Sequence, residues 1–213
     1  MDENELLKIL LENVVTGKAD KVKEACRLGM EQGIPAADIL NKALLKGMTE
    51  VGDLFSRGEY FVPEMLVAAR AMKAGMAVLE PELAKKPVES LGKFVIGTVE
   101  GDLHDIGKNL ASIMISSSGF EVIDLGIDVH AEKFTEAVKQ HHAKAVGLSA
   151  LLTTTMVNME SIINALRDDG FSGTIIVGGA SLTQEYAGRI GADIYAADAV
   201  DGAQKLRHAF AVV

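Results

Sequence analysis

A chain of 213 residues, 48% apolar and 24% charged, can bury one large core or two small ones, and it holds no low-complexity run. Its formal charge of −9 repels phosphate backbones and anionic bilayers, which argues against nucleic acid or a membrane surface as partner. With one cysteine, an acidic opening (Met1-Asp2-Glu3-Asn4-Glu5) and no apolar run near the ~20 residues of a bilayer span, neither an internal disulfide, a secretory leader nor a membrane helix is expected, and the chain reads as cytoplasmic.

Leu6, Leu7, Ile9, Leu10 and Leu11 mark a first helical face that ends near Gly17. A second helix is expected from about Ala19 to Gly33, with Val22, Ala25, Cys26 and Met30 on one stripe, where Cys26 reads as a small core residue. A third opens at Pro35, carries Ile39, Leu40, Leu44, Met48, Val51 and Phe55, and stops near Gly58. The fourth opens at Pro63 and carries Leu66, Ala69, Met72, Met76 and Leu79. Apolar spacing of three and four throughout, with short connections, predicts a four-helix bundle over residues 1–85. Pro81–Lys93 holds two prolines, three lysines and a glycine with weak periodicity, and reads as a linker.

From residue 93 to 213 short apolar strands alternate with helices. The strands are expected at Phe94–Val99, Glu121–Leu125, Ala145–Ser149, Thr174–Val177 and Asp193–Ala196. Helices are expected near Gly107–Ser118, Ala131–His142, Thr154–Asp169, Leu182–Ile190 and Val200–Ala211. The fold class is therefore α/β: a helical bundle followed by a doubly wound, five-stranded parallel sheet of the flavodoxin or Rossmann kind. Such sheets bind ligands beyond the carboxyl ends of their strands.

Three strand ends stand out. After the first comes Gly101-Asp102-Leu103-His104-Asp105-Ile106-Gly107, after the third Ser149-Ala150-Leu151-Leu152-Thr153, and after the fourth Gly178-Gly179. Neutral imidazole is a good transition-metal ligand, normally oriented by a carboxylate on its second nitrogen. Asp102 or Asp105 is close enough to supply that carboxylate to His104, and Ser149 could add a hydroxyl to the chain. Gly107 would let a large ligand approach the backbone, and the pair Gly178-Gly179 would open a slot that a bulky side chain at Gly179 should block. A solvated loop histidine and a plain glycine turn are the bland readings of the same residues.

Asp102-x-His104-x-x-Gly107, Ser149-x-Leu151 and Gly178-Gly179 together resemble the three-part signature of cobalamin-binding domains that hold the cofactor base-off and histidine-on. The chain resembles, over nearly its whole length, the corrinoid proteins of methyltransferase systems and the cobalamin-binding region of methionine synthase. The resemblance implies that His104 is the lower cobalt ligand, with Asp102 and Ser149 as its hydrogen-bond relay. The nucleotide tail would run along Gly107, Ser149, Leu151, Thr153, Gly178 and Gly179. Gly101, Asp105 and Ile106 complete the contact loop. In the helical half, Val51-Gly52-Asp53-Leu54-Phe55, Gly58 and Pro63-Glu64 resemble the cap of methyl carriers. Phe61 and Met65, four apart, would shield the methyl group, and bundle core is the alternative for both.

The activity so implied is carriage of a methyl group on cobalt, from a donor-specific methyltransferase to a second methyltransferase that methylates a thiol or tetrahydrofolate, with a reductive activator as further partner. No zinc-ligand spacing and no substrate barrel are legible, so the chain reads as the carrier component rather than a complete enzyme. The alternatives are the cobalamin subunit of an adenosylcobalamin mutase and a cobalamin sensor or store. The cap residues argue against the mutase. The absence of tryptophan argues against a light sensor.

Overall fold

Apolar residues at three- and four-residue spacing wind the first half into four helical rods in the computed structural model, which describes residues 2–83 and 90–211. The rods are α1 (Glu3–Val15), α2 (Ala19–Glu31), a composite third, and α5 (Val62–Leu83). The third runs without a break through α3 (Ala36–Ile39), a π-helical stretch (Leu40–Leu45) and α4 (Lys46–Ser56). Gly17, Gly33 and Gly58 stop the first three rods in left-handed backbone, with φ of 67°, 85° and 73°. At the start of α5 the Glu64 carboxylate accepts the Phe61 N–H at 2.9 Å, half of a capping box.

Leu10, Val14, Val22, Leu44, Met48, Val51 and Leu79 are buried in this half. Gly75 sets the approach of α5 to α2, because a Cβ there would stand 2.8 Å from Val22 Cγ1. Cys26 is fully buried, and burial pushes its thiol up to about 12, so it stays protonated and packs as a small apolar group. The expected linker begins too early: α5 continues through Pro81 to Leu83, with only one backbone donor lost near its end, and the remainder over 84–89 lies outside the described residues.

The chain divides between Glu89 and Ser90 into two compact units. The second contains β1 (Gly92–Thr98), α6 (Ile106–Ser116), β2 (Phe120–Asp124), α7 (Ala131–His141), β3 (Ala145–Ser149), α8 (Asn158–Asp168), β4 (Thr174–Gly178), α9 (Gln184–Arg189), β5 (Ile194–Ala196) and α10 (Ala199–Ala211). All pairings are parallel, in the order β2-β1-β3-β4-β5. Alternate strand residues serve opposite faces. Val95, Val146, Leu148, Ile175 and Val177 pack with Phe134, Met159, Ile162 and Leu166 of α7 and α8. On the other face Phe94 meets Phe120 edge to face, and Phe120 meets Phe210 of α10 likewise.

The sheet grows outward from β1 in both directions, so the chain leaves β1 and β3 toward opposite faces and opens a crevice at their carboxyl ends. Among the described residues, no helix is long and apolar enough to cross a membrane.

Candidate functional site

The crevice is occupied by the loop that follows β1. Val99 pairs with Val129 beyond the ends of their strands, and Gly101 then turns the chain at φ 79°. The turn drives Asp102 inward, where its side chain has no exposed surface. Oδ1 lies 2.7 Å from His104 Nδ1 and accepts the His104 N–H at 3.0 Å. Oδ2 accepts the Leu151 N–H at 2.8 Å and the Thr155 hydroxyl at 2.6 Å. Burial by itself would raise the Asp102 carboxyl. The bonds from Thr155, from the N–H groups of His104 and Leu151 and from the His104 ring outweigh it and hold the carboxyl well below the usual carboxylate range.

An ionised Asp102 can only accept, so Nδ1 carries a proton and donates it. Nε2 makes no hydrogen bond to a described residue. The ring is half exposed, and the Thr98 hydroxyl pins its backbone by donating to the His104 carbonyl at 3.0 Å. Asp105 therefore does not orient the imidazole. It accepts from Asn109 Nδ2 at 3.0 Å, one turn into α6.

Beside His104 a cavity of about 320 Å³ runs between the sheet and the helices α6 and α10. Phe94, Ile96, Ile115 and Ile176 line its inner part, and His104, Gly107, Ser149 and Gly178 its mouth. A Cβ at Gly107 would meet nothing within 4 Å. A more open depression of about 490 Å³, between Lys139, Lys144 and Asp169, lies at the amino ends of β3 and β4, away from the crevice.

Several expectations need correction. The hydroxyl on the Asp102 carboxylate belongs to Thr155, not Ser149. Ser149 is the last residue of β3, opposite Thr98 and Gly178, and lines the cavity. Thr155 comes six residues later, in turns that delay α8 to Asn158: the Leu152 carbonyl accepts the N–H groups of Thr155 and Met156 at 3.2 and 3.0 Å. Thr153 is exposed on these turns and does not line the cavity. Leu151 does both, contributing its N–H to Asp102 and its half-exposed side chain to the mouth.

Gly179 borders the cavity, but the reason for the glycine is backbone approach, not a slot. At φ 148° its Cβ would fall 1.7 Å from the Ala150 carbonyl oxygen, so a leucine there would break the sheet end rather than block a ligand. Ile106 is 77% exposed at the start of α6, and Gly101 serves the turn. Met65 is fully buried on the α5 stripe with Ala68, Met72, Gly75 and Leu79, so it is core. Phe61 precedes α5 and is exposed.

Sequence reasoning missed Thr155, Lys108 and Asp128. Lys108 is 3% exposed in the first turn of α6, bonded to Asn109 Oδ1 and to the carboxylate of Asp124 at the end of β2. The adjacent Asn109 and the acidic end of β2 were the available signals. Replacing Thr155 by valine keeps its volume and deletes one bond to a buried anion. A loss of about 1–2 kcal/mol is expected in urea unfolding, against no change for Thr153→Val.

No group of three or more His, Cys, Asp or Glu among the described residues is placed to hold an ion. A lone oriented imidazole fits instead a metal that brings its other ligands with it, as a macrocycle does. The adjoining cavity leaves about 320 Å³ of room beside the ring.

A doubly wound sheet that presents one carboxylate-oriented histidine over an apolar cavity defines a binding domain for a large metal-bearing cofactor. Residues 92–205 match the B12 binding domain family, and residues 6–80 match a second family, also described as B12 binding domain. A corrinoid protein of Desulfitobacterium hafniense is 41% identical over 94% of this chain and 97% of its own. Dimethylamine corrinoid protein 2 of Methanosarcina acetivorans is 43% identical over 96% of both chains. In the solved methanol:cobalamin methyltransferase complex of Methanosarcina barkeri, one chain superposes with a TM-score of 0.88 at 28% identity, covering 100% of this chain and 82% of that one. A cobalamin-binding protein of D. hafniense superposes at 0.81 with 32% identity, over 95% and 97%. The chain belongs to the B12-binding corrinoid protein family.

Proposed function

We propose that this protein carries a methyl group on the cobalt of a corrinoid held base-off and histidine-on, between a donor-specific methyltransferase and a second methyltransferase acting on a thiol or tetrahydrofolate. The observation that carries this reading is the His104 imidazole with Nδ1 locked to a buried carboxylate and Nε2 left open beside the cavity. When bound, the corrinoid supplies a metal centre that accepts and gives up a methyl group.

The residues of the chain do the rest. His104 Nε2 would hold the metal of the cofactor. The buried Asp102 carboxylate on Nδ1 would keep the ring turned with Nε2 toward that metal. Thr155 and the Leu151 N–H hold the carboxylate in place. Gly107, Ser149 and Gly178 leave room for the displaced nucleotide tail, and the apolar inner cavity keeps water from it.

The relatives named for dimethylamine and methanol supply the donors to test, and a reductive activator is the further partner this reading calls for. Reduced, corrinoid-loaded protein mixed with a dimethylamine, trimethylamine or methanol methyltransferase and its substrate should show the absorbance change of cobalt methylation. Loading without methylation by any of them would leave a cofactor store instead of a carrier.

Gly107→Leu tests the cavity itself. The new side chain enters open space on a helix, so the fold should be as stable as before or more so. Overpacking against the tail should weaken corrinoid binding by about 1–3 kcal/mol, roughly ten- to a hundredfold. Unchanged affinity would place the tail elsewhere.

A further inference from the structure

The loop that carries His104 is gripped by a second loop. Residues 125–130 connect β2 to α7, and within them Asp128 adopts left-handed backbone with φ 53°. Among the described residues, His142 is the other non-glycine residue with positive φ, and it caps the end of α7, where that conformation is common. No helix end accounts for Asp128.

Its bonds do. Asp128 Oδ1 accepts the Gly101 N–H at 2.7 Å, and the Asp128 N–H donates to the Asp102 carbonyl at 3.1 Å. The two bonds bracket the Gly101–Asp102 segment just where Gly101 makes its left-handed turn. Asp102 is thereby held twice. Thr155 and the N–H of Leu151 fix its carboxylate, and Asp128 fixes its backbone. The left-handed turn at Asp128 serves both bonds, its side chain reaching Gly101 while its own N–H faces Asp102. Asp128 is exposed and does not line the cavity, so it reaches the site only through Asp102.

We propose that Asp128 is a positioning residue for His104, its side chain holding the Gly101 turn so that the Asp102 carboxylate presents Nε2 to the corrinoid in one orientation. The role rests on corrinoid ligation by His104. Aspartate suits it for two reasons: with asparagine it tolerates left-handed backbone better than other side chains, and it supplies an acceptor for Gly101.

Three substitutions separate positioning from plain stability. All three keep the main-chain N–H that meets the Asp102 carbonyl: Asp128→Asn keeps the acceptor for Gly101 and the backbone tolerance, Asp128→Gly keeps the tolerance without the acceptor, and Asp128→Ala loses both. The readouts are Tm, hydrogen exchange of the His104 Nδ1–H by NMR in ligand-free protein, and, after loading, the nitrogen coupling of divalent cobalt and the corrinoid dissociation rate. The Asn variant should match the wild type in all four. The Gly variant should keep its Tm, yet exchange the Nδ1 proton and release corrinoid about tenfold faster, the loss typical of an outer-shell partner. The Ala variant should lose Tm as well.

A Gly variant with wild-type proton exchange and wild-type release, in protein whose nitrogen coupling is present, overturns the role of Asp128 alone. Absence of nitrogen coupling in the wild type overturns ligation by His104, and this role with it.

Discussion

His104→Ala should leave the fold standing and abolish the nitrogen coupling of divalent cobalt in loaded protein. The ring is half exposed and packs into no core, so its removal costs the bond to Asp102 Oδ1, about 1 kcal/mol. That oxygen still accepts the backbone N–H of residue 104, and Oδ2 keeps Leu151 and Thr155. The proposed metal ligand, by contrast, disappears altogether. Loss of an outer-shell partner costs 10–100-fold in metal affinity, so loss of the ligand itself should weaken corrinoid binding on the order of a hundredfold or more. Equilibrium dialysis and the absorption bands of the bound cofactor read both effects. Unchanged bands and affinity would remove His104 from the mechanism.

Asp102→Asn should destabilise the fold. The carboxylate is fully buried and accepts five bonds: from the N–H and ring of His104, the N–H groups of Leu151 and Leu152, and the Thr155 hydroxyl. A carboxamide has one oxygen and one N–H2, so it must turn a donor toward Thr155 and Leu151 or toward His104. A loss of about 2–3 kcal/mol is expected, because hydrogen bonds to a buried charge are involved. The effect has a definite pH dependence. The folded-state carboxyl is held below its usual range, so its stabilisation is complete above the unfolded value of about 3.9 and drains away as pH falls below it. Urea unfolding at pH 7 and pH 3 should therefore show a gap between wild type and variant that shrinks at the lower pH. A gap of the same size at both would mean that Asp102 is not held as the anion. The variant should also load corrinoid poorly, since an amide oxygen orients the imidazole more weakly than a carboxylate.

How far the site was legible depends on the range of the interaction concerned. Asp102-x-His104 is a two-residue device: the carboxylate reaches both the ring and the N–H of His104 within one turn, so spacing offered it beside Asp105 and the resemblance to cobalamin-binding domains singled it out. Gly107 was legible for the same reason, as a small residue at a helix start. Thr155 was not, because what places its hydroxyl on Asp102 is the crossing of two loops 53 residues apart in the chain. A serine at the strand end looked equally good in one dimension. Side-chain alternation along β3 turns it into the cavity instead. Gly179 was read as a gap because a missing side chain in a sequence does not say what stands opposite, and here it is the Ala150 carbonyl. Met65 and Phe61 were paired by helical spacing. The start of α5 at Val62 separates them, with Met65 continuing the buried stripe.

The amino-acid sequence by itself determined the order and kind of elements, the parallel sheet and the identity of the oriented histidine, because periodicity, caps and near-neighbour hydrogen bonds are short-range and written in the spacing of residues. Tertiary structure decided which hydroxyl bonds the Asp102 carboxylate, which glycine opens space and which merely avoids a clash, and that an aspartate in left-handed backbone on a neighbouring loop bonds the loop that carries His104. Each of those outcomes depends on which segments the strand order β2-β1-β3-β4-β5 brings side by side, and distance through space at the crevice is not a function of distance along the chain.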